Sequence, residues 1–287
     1  MIKAIGIGDN VCDKYLNLGK MYPGGQALNF AVYCKQEGHH AAYMGVFGSD
    51  EVAAHIGRTL EELGVETAMC RHVQGGNGYA VVTLTDGDRM FVTSNKGGVS
   101  RTSPLVLNKE DLGYLAGFDI IHTSNNSHID SQLAKLPSLP GRLSYDFSGA
   151  WADGDRTKAI CQYIDFGFLS CSKLEDKAIH ALLTRMHGWG AGMLIATCGE
   201  RGAVAYDGAA FYRHRPELIK PVDTLGAGDS FAAGFLMDFT GKTKAKVPPP
   251  GSPEMEVLVT QAMENGAALS ARTCMIYGAF GCGTDIK

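Results

Sequence analysis

The segment Asp223-Thr224-Leu225-Gly226-Ala227-Gly228-Asp229-Ser230-Phe231 combines a turn, a helix start and an acid. Its two glycines allow a tight turn, so that successive N–H groups at Gly226, Ala227 and Gly228 can point into one space at the N-terminus of the following helix, a space suited to an anion. If a terminal phosphoryl group reacts there, those donors can stabilise the charge that develops on it, while Asp229 accepts the proton of an attacking hydroxyl. Taken alone, the string also fits an ordinary helix start with Asp229 favoured by the positive helix end. A second candidate is Gly24-Gly25-Gln26-Ala27-Leu28-Asn29. Glycines before a helix let a ligand approach the backbone closely, and the Asn29 amide can both donate and accept hydrogen bonds; a plain strand-helix turn is the alternative. Asp9, Asn10 and Asp13 follow the first strand, where open α/β sheets place their ligands.

These residues need elements to hold them. Strand and helix signals alternate for most of the chain, the pattern of a parallel sheet covered by crossover helices. A strand is expected near residues 2–8, a helix over Gln26–Gln36, a strand over 42–47, and a helix over 50–63 that Asp50 can cap and Gly64 can end. Gly78–Thr85 and Met90–Thr93 alternate with period two around the turn 86–88, which predicts a hairpin. A hairpin among strand-helix units does not join the parallel order easily, so it is expected to form, with residues near Lys14–Leu18, a small separate sheet able to cover a ligand. From Asn108 the alternation resumes: helix 109–116 behind an Asn108/Asp111 capping box, strands 119–123, 143–147 and 166–171, helix 174–187, strand 193–197, and a last helix over about 255–272. The proline-rich stretch 242–253 reads as an exposed loop between two late helices.

With 287 residues, 45% of them apolar, the chain can bury one large core, and a single domain over 1–287 is expected. Its 26 basic and 30 acidic residues leave a net charge of -4, without the basic excess that nucleic acid or an anionic membrane surface would require. Eight dispersed cysteines without a CxxC pair fit a reducing cytoplasm. No stretch approaches the roughly 18 apolar residues of a membrane span, and the N-terminal apolar run is too short for a signal peptide. Other chemistries fail on spacing. Leu236 stands where a Walker A loop ending in Gly241-Lys242-Thr243 needs its first glycine, and Val11 replaces the third glycine of a dinucleotide fingerprint begun at Gly6. The nine histidines form no HExxH, and His128 reads as a surface or loop residue.

Asp223 to Gly234 resembles the C-terminal signature DTxGAGDxFxxG of the PfkB, or ribokinase-like, carbohydrate kinases at every fixed position, and Gly24–Asn29 matches the family's GGxxxN segment. The resemblance implies a three-layer α/β/α sandwich with a mainly parallel central sheet and a small β-sheet lid, here from segments near 14–23 and 74–97. It implies ATP-dependent phosphorylation of a sugar or sugar-derivative hydroxyl, with Asp229 as base, Gly226–Gly228 as anion hole, and Asn10, Asp13, Gly24, Gly25 and Asn29 on the sugar. Thr197-Cys198-Gly199-Glu200-Arg201-Gly202 resembles the family's TxGxxG segment, which places Thr197, Gly199 and Gly202 on the nucleotide, joined by Asn265 of the last helix. Glu175 would hold Mg²⁺ through water, although Ser172 replaces the Asn of the usual NxxE. Asp223 would sit beside a monovalent cation such as K⁺. Further segments, among them 8–13, 31–34, 119–122 and 145–148, look like fructoselysine 6-kinases. In that reading Arg89 on the hairpin meets the acceptor's carboxylate, and a second subunit can complete the lid. The alternatives are another acceptor (a ketose, ribose, 2-keto-3-deoxygluconate or a nucleoside) and, from a different class, a catalytically silent sugar-binding regulator.

Overall fold

The structure, a computed structural model, describes residues 1–85 and 88–286, with the backbone alone described at 85, 88 and 89. The turn 86–87 and the side chain expected of Arg89 therefore lie outside the described residues. In chain order come β1 (Lys3–Gly8), β2 (Val11–Tyr15), β3 (Lys20–Gly24), α1 (Gln26–Gln36), β4 (His40–Phe47), α2 (Glu51–Leu63), β5 (Arg71–His72), β6 (Gly78–Thr85) and β7 (Asp88–Ser94). Then follow α3 (Val99–Thr102), α4 (Lys109–Leu115), β8 (Ile120–Ser124), β9 (Arg142–Ser148), α5 (Gly154–Cys161), β10 (Phe166–Ser170) and α6 (Asp176–Gly188). The last part holds β11 (Met193–Thr197), β12 (Ala203–Tyr206), β13 (Phe211–His214), α7 (Ala227–Thr243), α8 (Pro253–Thr273) and β14 (Thr284–Asp285).

Nine strands form the large sheet in the order β13-β12-β11-β10-β9-β8-β1-β4-β5. It is parallel from β11 through β5, and β12 and β13 extend it as an antiparallel hairpin. Side chains of successive strand residues point to opposite faces, and the strands are buried on both. Ala4, Phe166, Phe168 and Ile195 join α1, α2, α7 and α8 in one core, while Ile5, Ile7, Leu169 and Leu194 join α4, α5 and α6 in the other. That is the three-layer arrangement expected from the sequence.

Local signals set the helix ends. Asp50 accepts a hydrogen bond from the Ala53 N–H at 3.0 Å, and Gly64 closes α2 in the left-handed region at φ 68°. The Asn108/Asp111 capping box forms as read, and Ser252 caps α8 with Pro253 at its first position. Such caps are worth about 1 kcal/mol each. Helix α7 is buried nearly all round, and it crosses α8 closely because Gly234 and Gly266 bear no side chains: a Cβ on Gly234 would stand 2.9 Å from the Asn265 carbonyl oxygen.

The second sheet, ordered β14-β3-β2-β6-β7, contains the expected hairpin and the segment around Lys14. Strand β3 falls in the lid segment near 14–23, the C-terminal β14 makes the sheet larger than expected, and β2 runs parallel to β6. Only Asp9 and Asn10 separate β1 of the large sheet from β2 of the small one.

Candidate active site

A cavity of about 810 Å³ lies between the two sheets, walled by Asp13, Tyr79 and Ala80 from the small sheet and by Asn29, Gly228 and Asp229 from the helix starts of the large unit. Asp229, in the first turn of α7, is 7% exposed. Its Oδ2 accepts a hydrogen bond from Asn29 Nδ2 at 2.6 Å, so two residues 200 positions apart share one wall of the cavity. The other amide atom, Asn29 Oδ1, is buried with no partner. It and Asp13 Oδ2 both border Gly24, where a Cβ would lie 3.8 Å from the first and 2.9 Å from the second. A donor-hungry amide oxygen beside a carboxylate is a site for hydroxyl donors, because buried acceptors left unsatisfied are costly.

The glycines have distinct jobs. Gly226 is the N-cap of α7 at φ 77°, and a Cβ there would stand 2.2 Å from Tyr33 Oη. Around Gly228 a Cβ would meet nothing within 4 Å, so the helix start is open to the cavity at that point. Gly228 is the second residue of α7, where first-turn geometry leaves the N–H without an intrahelical acceptor. Ala227 departs from expectation: its N–H donates to the Thr224 carbonyl at 3.3 Å, closing the turn, and it does not line the cavity. Gly25, at φ 114° and so close to Asp9 that a Cβ would lie 2.7 Å from the Asp9 carbonyl, does line it, while Gly24 does not.

Several acidic and amide side chains serve as braces. Asp9 accepts from the Gln26 and Ala27 N–H groups at 2.7 and 3.2 Å and from the Ser124 and Ser127 hydroxyls at 2.9 Å each, capping α1 from a distance. Asn10 is placed outside the cavity wall. Its Nδ2 donates to Tyr43 Oη at 2.8 Å and to the Val46 carbonyl at 3.0 Å, and its Oδ1 accepts from Asn77 at 2.8 Å. Asp223 is fully buried and accepts from Tyr15 Oη at 2.6 Å and from the Leu225 and Gly278 N–H groups at 2.9 Å each.

The residues expected on the nucleotide do not line this cavity. Glu175 lines a second one, of about 460 Å³, with Asp176, Glu200, Arg201, Arg213 and Arg215. Asp176 is paired with Arg201 and Arg213, whereas the Glu175 side chain, exposed at the N-cap of α6, makes no capping bond. Gly199 opens a short 3-10 turn over Gly199–Arg201 that adjoins this second cavity through Glu200 and Arg201. Thr197 donates to the Leu169 carbonyl at 3.2 Å. Gly202 is needed by the β12–β13 hairpin, since a Cβ there would stand 2.0 Å from the His214 carbonyl oxygen. Asn265 is exposed on α8, and its backbone abuts Gly234.

Sequence reasoning left several wall residues unassigned, among them Lys96, Arg101, His128, Asp146 and Ser148. Asp146 is a buried carboxyl that burial pushes up to about 6, against the pull of the Ser148 N–H bonded to it at 2.6 Å and with nearby Asp9 adding to the rise. A carboxyl with a raised folded pKa stabilises the fold fully below its unfolded pKa, and the benefit is lost as pH rises through the folded value. A shift of about two units corresponds to a loss on the order of 3 kcal/mol between pH 4 and pH 7. The Asp146→Asn variant, whose amide oxygen can still accept from Ser148, is expected to gain melting temperature relative to wild type as pH rises over that range. Parallel melting curves at pH 4 and pH 7 would show that Asp146 ionises without penalty.

Among the described residues no cluster of three or more His, Cys, Asp or Glu side chains could hold a metal ion, and no helix is long and apolar enough to cross a membrane. All eight cysteines are free.

The chain is a carbohydrate kinase by its family. Residues 2–243 match the pfkB family of carbohydrate kinases, and the chain belongs to that family. It is 39% identical over 284 residues to the fructosamine kinase FrlD of Bacillus subtilis (strain 168), covering 98% of this chain and 94% of that protein. It is 32% identical over 274 residues to the fructoselysine 6-kinase of Shigella flexneri, covering 96% of this chain and 98% of that protein. The solved structure of ribokinase from Giardia lamblia superposes with a TM-score of 0.83 at 18% identity, covering 98% of this chain and 96% of that one, and so shares its fold.

Proposed function

We propose that the protein transfers the terminal phosphoryl group of ATP to a hydroxyl of a fructosamine, with fructoselysine as the favoured acceptor and Asp229 as the general base. The observation that carries this reading is the shared wall of Asp229, Asn29 and the start of α7, where a carboxylate and a bare helix turn face one space. The acceptor oxygen attacks the γ-phosphorus, its proton passes to Asp229, the new O–P bond forms, and the bond to the bridging oxygen breaks with its electron pair leaving on ADP. Asn29 holds the Asp229 carboxylate by one amide atom and offers the other, with Asp13, to the sugar. The Gly228 N–H is placed to meet charge on the phosphoryl group.

Mg²⁺ keeps most of its waters and needs few protein ligands, which fits an exposed carboxylate such as Glu175 better than a closed cluster. When bound it would neutralise phosphate charge. The Asp223 carboxylate already accepts from three donors, so we assign it to bracing the turn and give potassium no residue. The edge strand β7 leaves Met90, Phe91 and Val92 exposed at 62%, 67% and 52%, an apolar edge that a second copy of the chain would cover.

Purified protein with MgATP, assayed for ADP release over fructoselysine, other fructosamines, fructose, ribose, 2-keto-3-deoxygluconate and nucleosides, should give its highest kcat/KM on a fructosamine. Turnover confined to nucleosides would replace this acceptor with the nucleoside alternative, and sugar binding without ADP release would favour the silent regulator.

A further inference from the structure

Three basic side chains, Lys96, Arg101 and His128, line the same cavity as the four carboxylates of Asp9, Asp13, Asp146 and Asp229. They are neighbours. A Cβ on Gly97 would lie 3.2 Å from His128 Nε2, and the His128 ring, lowered in pKa first by burial and raised by Asp9, is lowered further by the charge of Arg101. None of the three side chains makes a hydrogen bond or an ion pair among the described residues, unlike Arg71, Arg156, Arg201 and Arg213, each of which is held by an aspartate. Two of the three also sit on costly backbone. Lys96 and His128 both have φ 56°, and with Ser148 at φ 47° they make three of the four described non-glycine residues in the left-handed region, all three on this cavity. Such positions cost of order 1–3 kcal/mol each and gather where function over-determines the backbone.

Two cations, Lys96 and Arg101, and an imidazole able to donate, all facing one cavity without an acidic partner among the described residues, suit an anion, and two could enter here: the phosphates of ATP or a carboxylate on the acceptor. The connections on the wall favour the second. Ser127, next to His128, donates to Asp9, and the Asp9 carbonyl abuts Gly25, so the basic group adjoins the sugar side of the cavity. The phosphate side is the start of α7, whose wall residues Thr224, Gly226 and Gly228 lie on another element.

Resting on the reading of this cavity as the acceptor site, we propose that Lys96, Arg101 and His128 bind a carboxylate carried by the acceptor at the end remote from the transferred phosphoryl group. They make the enzyme selective for ketosamines of amino acids over neutral sugars. The amino-acid carboxylate thus meets this cluster, with or without the hairpin arginine at position 89.

The test compares a fructosamine of an amino acid with its carboxamide, at saturating MgATP, in wild type, Arg101→Ala and Arg101→Lys. Wild type should favour the carboxylate about tenfold or more in KM, as charge-assisted hydrogen bonds allow. Arg101→Ala should erase that preference by raising KM for the carboxylate about tenfold or more, well beyond any change for the carboxamide or ATP, and Arg101→Lys should restore part of it. Equal losses on both acceptors, or a raised KM for ATP, would overturn the proposal, the latter by assigning the cluster to phosphate. A wild type that turns over both acceptors equally would overturn the subsite while leaving the kinase reading intact. Should no fructosamine turn over, the kinase reading fails separately, and calorimetric titration of the carboxylate form decides the subsite: binding weakened by Arg101→Ala sustains it, and absence of binding overturns it.

Discussion

Replacing Asp229 by Asn is expected to lower kcat by about 10²–10⁴-fold while the KM for ATP changes little, because the amide keeps the shape of the carboxylate and loses its capacity to take the hydroxyl proton. The variant should fold. An Asn at this position can still present an oxygen to Asn29 Nδ2, which now lies 2.6 Å from Asp229 Oδ2, so the contact between α1 and α7 survives. Steady-state ADP release and the thermal melting point together separate loss of the base from loss of the fold. Near-wild-type turnover would sink the role assigned to this residue.

Gly228→Val should cut turnover by about 10² or more with almost no change in melting temperature. A Cβ at Gly228 would meet nothing within 4 Å, so the valine would grow into the cavity that Gly228 lines and displace the reacting group, and misplacement of about 1 Å can cost that much. Gly226→Ala is the contrasting case. Its backbone sits at φ 77° and its new methyl would lie 2.2 Å from Tyr33 Oη, so the turn must shift and the melting temperature should fall along with the rate. An unaffected rate for Gly228→Val would mean that the turn does not approach the phosphoryl group.

Much of this was legible because local chemistry and global fold agree. Helix α1 begins and ends where the glycine pair and its apolar content place it, and α2 where Asp50 and Gly64 do. The lid segment 14–23 was placed, but its second strand β3 was not drawn out because Pro23 lacks an N–H and reads as a turn, and β14, two residues long, has no period at all. Helix α5 was missed because its eight residues open on glycine and carry three charges; only the Asp153 cap announces it. In the site, the motifs exposed Asp229, Asn29, Asp13 and Gly25, whereas the contact between Asn29 and Asp229 depends on two helix starts that only the sheet order brings together. The basic cluster had no signal, since positive φ at lysine and histidine is imposed by tertiary context rather than by residue type.

The short joint between the two sheets has a mechanical consequence. Asn10 is held to Tyr43, Val46 and Asn77, so the corner where β1 passes into β2 is braced from both sheets. Further out, the register of β6 and β7 shifts between Val81 and Val82, an irregularity that bends a strand locally. The root of the small sheet is thus its stiffest part, and widening of the crevice is favoured further along its length.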